Sequence, residues 1–177
     1  MQKLKLQFKI HKDEKKLIPL LIDNGVNSVD VFLIGERADV EIYGLVQGRR
    51  LEEKFLEVQI IHAAPNTKSN VNVRAVLRGK STFAFRGNVR IEKGAKGADA
   101  YLRSEALLFD DAKMGDDTPA LEILEPDVKA GHAATIGKVD EAMLFYLMSR
   151  GLTRSQAENL LIEGFVGPIR EKIRKPA

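Results

Sequence analysis

From about Ser28 to Gly137, apolar and polar residues alternate with a period of two. Val29, Val31 and Leu33 are separated by Asp30 and Phe32, Val40 and Ile42 flank Glu41, and Leu56, Val58 and Ile60 alternate with Glu57 and Gln59. The same rhythm runs through Val71, Val73, Ala75 and Leu77, through Phe83 and Phe85, Val89 and Ile91, and Leu121 and Ile123. A strand sends successive side chains to opposite faces, so each run predicts a half-buried β-strand. Val71, Val73, Phe83, Phe85, Leu121 and Ile123 are the expected inward positions. Glycines such as Gly35, Gly48, Gly79, Gly94 and Gly97 punctuate the runs, as turn residues do.

Many short strands without a helix between them fit an antiparallel sandwich or barrel, or a β-solenoid of stacked coils. Two observations favour the solenoid. The segments "IGERADVEIYG" and "KGAKGADAYLRS" echo one another, each with an Ala-Asp turn leading into a strand. The Asn-Gly and Asp-Gly hairpin turns of a meander are nearly missing, with Asn24-Gly25 lying before the main run. The pattern thus divides the chain into a short basic lead segment at 1–27, a β-helix core at 28–137, and C-terminal helices with a tail at 138–177.

The end of the chain changes period. Asp140 is placed to cap a helix carrying Met143, Leu144, Leu147 and Met148, and Gly151 stops it. Thr153 and Gln156 form a capping box for a second helix, with Ala157, Leu160, Leu161 and Phe165 as its apolar stripe. Gly167-Pro168 is expected to interrupt that helix before a polar tail.

Composition then limits the chemistry. The chain has 177 residues, enough to bury a core without disulfides or a structural metal. It has no cysteine, which excludes disulfides, thiolate catalysis and cysteine-held zinc or iron–sulfur clusters within one chain. The net charge is only +3, tryptophan is absent and aromatic residues make 6% of the chain, so a nucleic-acid partner is not expected. The lysine-rich start has no long apolar run behind it, and a soluble, cytoplasmic protein is expected.

Few residues carry candidate chemistry. His11 lies among lysines. His62 follows a strand, and His132 sits between Gly131 and Ala133-Ala134, which leave its ring accessible. No spacing of these histidines matches a single-chain metal motif. Gly79-Lys80-Ser81 leads into a strand and reads as a turn, not a phosphate loop. Asp110, Asp111, Asp116 and Asp117 lack the ordered ligand spacing of a calcium loop and read as a solvated turn.

Residues 60–165 resemble the SufB/SufD family of iron–sulfur cluster assembly proteins. The resembling stretches are "HAAPNTKSNVNVRAVLRGKSTFAFRGNVRIEKGAKGADAYLRSEALLFDDA" and "PALEILEPDVKAGHAATIGKVDEAMLFYLMSRGLTRSQAENLLIEGF", in one collinear order. The resemblance implies a right-handed parallel β-helix with a C-terminal helical segment. It also implies pairing of two such subunits, with cluster assembly associated with their interface, and a SufC-like ABC-type ATPase gripping the terminal helices. Phe145, Tyr146, Arg150, Leu152 and Phe165 are the expected ATPase-docking residues. The competing reading is that such residues pack the tail onto the β region, which is expected for Leu144 and Leu161.

The histidine of the family's Asp-Val-Lys-x-x-His motif matches His132, making it the candidate metal ligand. The family's cysteines do not match. The strand Tyr101–Leu108 has none, Ala130 stands two residues before His132, and Ala133 replaces an acidic residue after it. His132 is therefore expected to contribute only in a complex whose partner supplies the other ligands. The isolated chain is expected to bind no cluster stably. The expected function is that of a non-enzymatic subunit, working as a homodimer or with a second scaffold subunit. The alternatives are a metal-dependent enzyme using His62 and His132, or a purely structural self-assembling solenoid.

Overall fold

The computed structural model describes residues 4–22 and 26–174. The Asn24-Gly25 turn and the last residues of the tail lie outside them. Among the described residues, ten strands alternate between two parallel sheets: β1 (Leu4–Ile10), β2 (Lys15–Ile22), β3 (Val26–Leu33), β4 (Asp39–Gly48), β5 (Glu53–His62), β6 (Lys68–Leu77), β7 (Thr82–Ile91), β8 (Asp99–Leu108), β9 (Lys113–Ile123) and β10 (Lys129–Lys138). Odd strands form one sheet in the order β1-β3-β5-β7-β9, and even strands the other in the order β10-β8-β6-β4-β2. Each odd–even pair is one coil of a parallel β-solenoid, and its core lies between the sheets.

Side chains stack in columns along the axis. Ile18, Ile42, Val71 and Leu102 are in register and buried. Outside, Lys15, Asp39, Lys68, Asp99 and Lys129 are in register, so stacked charges alternate in sign. Like charges directly opposite would destabilise the pairing.

The corners repeat too. Asp13, Arg37, Asn66 and Gly97 all take positive φ. Each corner donates a backbone hydrogen bond to the next coil: Asp13 to Glu36, Arg37 to Pro65, Asn66 to Lys96 and Gly97 to Asp127. The two sequence echoes are this corner seen twice, since Asp39 and Asp99 both pair with Lys68. Gly87 has a different reason. A Cβ there would sit 2.6 Å from Leu102 Cδ1, inside the core.

The solenoid begins earlier than the pattern suggests. β1 and β2 lie within the segment expected to be a basic lead, and they pair with β3 and β4. Leu6, Phe8, Ile10, Ile18 and Leu20 turn to the core, while Lys5, Lys9 and Lys15 are exposed. Among the described residues β2 is at the edge of its sheet, where Pro19 is tolerated and lysines discourage pairing with other chains.

Two helices follow, α1 (Glu141–Ser149) and α2 (Arg154–Arg174). The caps form as expected. The Ala142 N–H donates to Asp140 Oδ1 at 2.8 Å. Thr153 and Gln156 exchange bonds, with Thr153 N–H to Gln156 Oε1 at 2.8 Å and Gln156 N–H to Thr153 Oγ1 at 3.3 Å. The expected break at Gly167-Pro168 does not occur, because α2 runs through it. Val166 and Ile169 are buried on either side, and this packing offsets a mid-helix proline cost of about 3 kcal/mol.

α2 lies on the outer face of the even-strand sheet. Val166 joins Leu45, Val76 and Phe109 in a second apolar cluster, with Ile162 and Phe165 at its edge. Arg74 bonds Glu105 at 2.9 Å and the Phe165 carbonyl, with its guanidinium 5.2 Å from the Phe165 ring. Arg78 pairs with Glu158 and lies 4.7 Å from the Phe109 ring.

Candidate functional site

His132 lies on β10 in register with Leu102, and so continues the column Ile18, Ile42, Val71, Leu102. The four preceding positions are buried, but His132 is exposed. The reason is topological. β9 and β10 are the last strands of their sheets, and among the described residues no coil covers them. Residues whose parity points inward therefore form an open end face. Leu121 is half-buried, while Ile123 and Ile136 are 45% and 52% exposed. Val71, Val73, Phe83 and Phe85 are fully buried as expected. Burial of Ile123 is corrected, because its side of the strand has no next coil to pack on.

Asp117 is a feature of this end that periodicity missed. The register between β7 and β9 shifts after Phe83, which pairs with Met114, and Phe85 then pairs with Asp117. The bulge turns Asp117 inward. Gly115 within a strand was the available sign of it. Both Asp117 carboxylate oxygens are buried, and among the described residues neither they nor the nearby buried Ser104 hydroxyl makes a hydrogen bond of good geometry. Burial raises the Asp117 pKa, and the Ser104 hydroxyl opposes this only in part. The four acids of "DDAKMGDDTP" do not converge. Asp110 accepts from the Gly79 N–H at 2.9 Å, Asp111 is exposed, and Asp116 faces Arg86 at 3.7 Å.

His62 has another role. It is fully buried at the end of β5. Its Nδ1 lies 2.8 Å from Thr67 Oγ1 and its Nε2 2.8 Å from Ser69 Oγ. The Thr67 hydroxyl donates its own hydrogen to the Ala64 carbonyl at 3.0 Å, so Nδ1–H donates to Thr67 and Nε2 accepts from Ser69. Burial lowers the His62 pKa to about 4. The His-x-x-Pro-Asn-Thr-x-Ser stretch is thus a neutral clasp across a corner. The alternative of a metal enzyme using both histidines does not fit. His62 has no free ring nitrogen, and it sits two coils from His132, roughly 10 Å along the axis. Among the described residues, no group of three or more metal-ligating side chains converges. His11 is exposed in the first corner.

The helical residues divide. Phe145 is 73% exposed and Tyr146 52% exposed, with the Arg150 guanidinium 5.2 Å from the Tyr146 ring. Met143 and Met148 are also exposed beside them, whereas Leu152 is half-buried. Phe165 is packed under Arg74 against the solenoid. Leu144 is buried and Leu161 half-buried, as packing residues should be, whereas Leu160 is exposed. Among the described residues no helix is long and apolar enough to cross a membrane.

Comparison with known proteins places these features in a family context. The family described as SUF system FeS cluster assembly, SufBD core domain, matches residues 22–165. An iron–sulfur cluster assembly SufBD family protein of Mycobacterium tuberculosis is 38% identical over 143 residues, covering 81% of this chain and 17% of the relative. The iron–sulfur cluster assembly protein SufD of Bacillus subtilis is 36% identical over 143 residues, covering 81% and 32%. A further SufBD family protein of Mycobacterium bovis is 36% identical over 160 residues, covering 84% and 40%. The chain thus spans less than half the length of these relatives.

Proposed function

This chain belongs to the SufBD core family of the SUF iron–sulfur cluster assembly system, and on that premise we propose that it is a non-enzymatic scaffold subunit. It pairs through the open end of its solenoid with a second copy or a second SufB/SufD-type subunit, and it docks a SufC-like ABC-type ATPase through its C-terminal helices. The observation that carries this is the position of His132. It is the terminal member of an otherwise apolar core column, on an end face where Leu121, Ile123 and Ile136 are left partly or largely uncovered. Covering that face buries apolar surface and encloses the histidine. The cluster is cargo on this reading. His132 supplies one ligand, and the partner supplies sulfur.

Coupling to the ATPase follows from the packing. Tyr146 and Arg150 belong to the docking surface, with Phe145 and Leu152 beside them. Phe165 acts from behind, as the anchor of α2 to the sheet. α2 touches β4 and β6, which share a sheet with β10, the strand of His132. A nucleotide-driven movement of the helices is thereby passed to the end face as a two-state shift.

Copurification with the ATPase tests the docking. Changing Tyr146→Ala and Arg150→Ala together should weaken binding by about tenfold or more while the circular dichroism of the β region stays unchanged. Undiminished binding would defeat the docking reading. Pairing is tested by the mass in solution. Ile136→Asp should shift the paired species to single chains, and a mass that does not respond would place the pairing surface elsewhere.

A further inference from the structure

α2 and the corner that follows β4 enclose a cleft of about 520 Å³, on the flank of the solenoid. Val76 and Ile162 give it an apolar wall, the amides of Gln47 and Asn159 face it, and Arg49 and Arg50 stand at the corner. Arg78 and Arg170 also line the cleft, but each is already neutralised, Arg78 by Glu158 and Arg170 by Glu163. Arg49 and Arg50 differ. Among the described residues neither makes an ion pair, and the Arg49 side chain reaches only Gln47 Oε1 at 3.5 Å. The neighbouring Glu52 accepts from the Arg49 backbone N–H at 3.0 Å and pairs with Lys54 at 3.3 Å, so it meets the Arg49 guanidinium only through space.

The corner that carries these arginines is held firmly. Arg50 takes φ 57. Its carbonyl accepts from the Lys80 N–H at 2.6 Å, and a Cβ at Gly79 would come within 3.0 Å of Arg50 N. Two guanidinium groups without ion pairs on a fixed turn, beside an apolar wall, make a pre-organised anion site. Their combined charge suits a dianion. A phosphate monoester carries about −1.5 to −2 near neutral pH, whereas one carboxylate carries a single charge. The volume lies in the range of small-molecule sites.

We propose that this cleft binds a phosphate ester of about mononucleotide size, with the phosphate on Arg49 and Arg50 and the organic body against Val76 and Ile162. Such a ligand bridges the solenoid corner and α2. The site stands apart from the end face of His132 and does not depend on the scaffold reading.

Calorimetric titration of the full chain with AMP, adenosine and pyrophosphate tests this. AMP should bind saturably, adenosine should not, and pyrophosphate should bind more weakly than AMP. The Arg49→Ala, Arg50→Ala double variant should lose about tenfold or more in affinity for AMP. A Lys15→Ala, Lys16→Ala variant, with the same loss of charge elsewhere, should keep it. No saturable AMP binding at millimolar ligand would overturn the proposal, as would equal loss in both double variants. Adenosine binding as well as AMP would remove the phosphate from the argument, and pyrophosphate binding as well as AMP would remove the organic body. Either result rejects the site as stated.

Discussion

Phe85→Ala lowers the unfolding free energy by about 3–5 kcal/mol, the usual loss when a buried phenylalanine is truncated. Phe85 is fully buried on β7, in register with Leu56 below and Asp117 above. Its ring lies 6.4 Å from that of Phe83 at a 35° tilt. The interior is closed on both sides by hydrogen-bonded coils, so the vacated space cannot collapse, and the cavity cost adds to the lost burial. Ile123→Ala serves as the control on the neighbouring strand. Ile123 has inward parity but lies on the open end, so its truncation costs about 1 kcal/mol or less in the unpaired chain. Urea unfolding of both variants measures the contrast. Equal losses would mean that the last coil is as well packed as the interior.

The second large effect is a pH dependence from His62. Its folded pKa is about 4 against an unfolded value of 6.5, so the unfolded chain binds the proton more readily. The neutral clasp contributes its full stability above about pH 6.5 and loses it as pH falls through that window towards 4. A shift of this size corresponds to about 3 kcal/mol. Urea midpoints at pH 7.5 and 4.5 should therefore differ clearly in the parent chain. His62→Gln is less stable at pH 7.5, because it disturbs the bonds to Thr67 and Ser69. It should also show a flatter pH profile, since the titrating group is gone. A variant with the parent's slope would assign the acid sensitivity to other groups.

Much of this architecture was legible because a solenoid repeats one rule. Alternation of side chains gave the strands, and the Ala-Asp echo marked one corner seen at two levels. The first coil was obscured by its lysines. Leu6, Phe8 and Ile10 alternate as clearly as any later run, but Lys5 before them and Lys9 among them read as a charged lead. Parity was correct for Leu121 and Ile123, whereas burial was not, because burial depends on a neighbouring coil and alternation is blind to where the stack ends. The break expected at Pro168 failed for the complementary reason. The local cost of proline was visible, but the packing of Val166 and Ile169 that outweighs it was not.

The candidate site was legible only in part. His132 stood out by its motif, but its place at the end of a core column required the register. Asp117 depended on a bulge, which Gly115 hinted at without fixing the direction. The partners of His62 were within reach of the sequence, since Thr67 and Ser69 follow across a single corner. Their convergence on both ring nitrogens is a property of how that corner folds. Phe165 and Tyr146 look alike as apolar residues of a helical tail. Only the packing of α2 against Arg74 separates the anchor from the exposed surface.

Anaerobic reconstitution with iron and sulfide tests the central claim most directly. It is read by absorbance and by iron and sulfide content, first on the chain alone and then on the chain assembled with its ATPase and a second scaffold subunit. With no cysteine, the isolated chain should hold no stoichiometric, chelator-resistant cluster. The assembled complex should hold one, and His132→Ala should sharply lower the yield while leaving assembly intact. A stable cluster on the isolated chain, or an unchanged yield from the His132→Ala complex, would contradict the account.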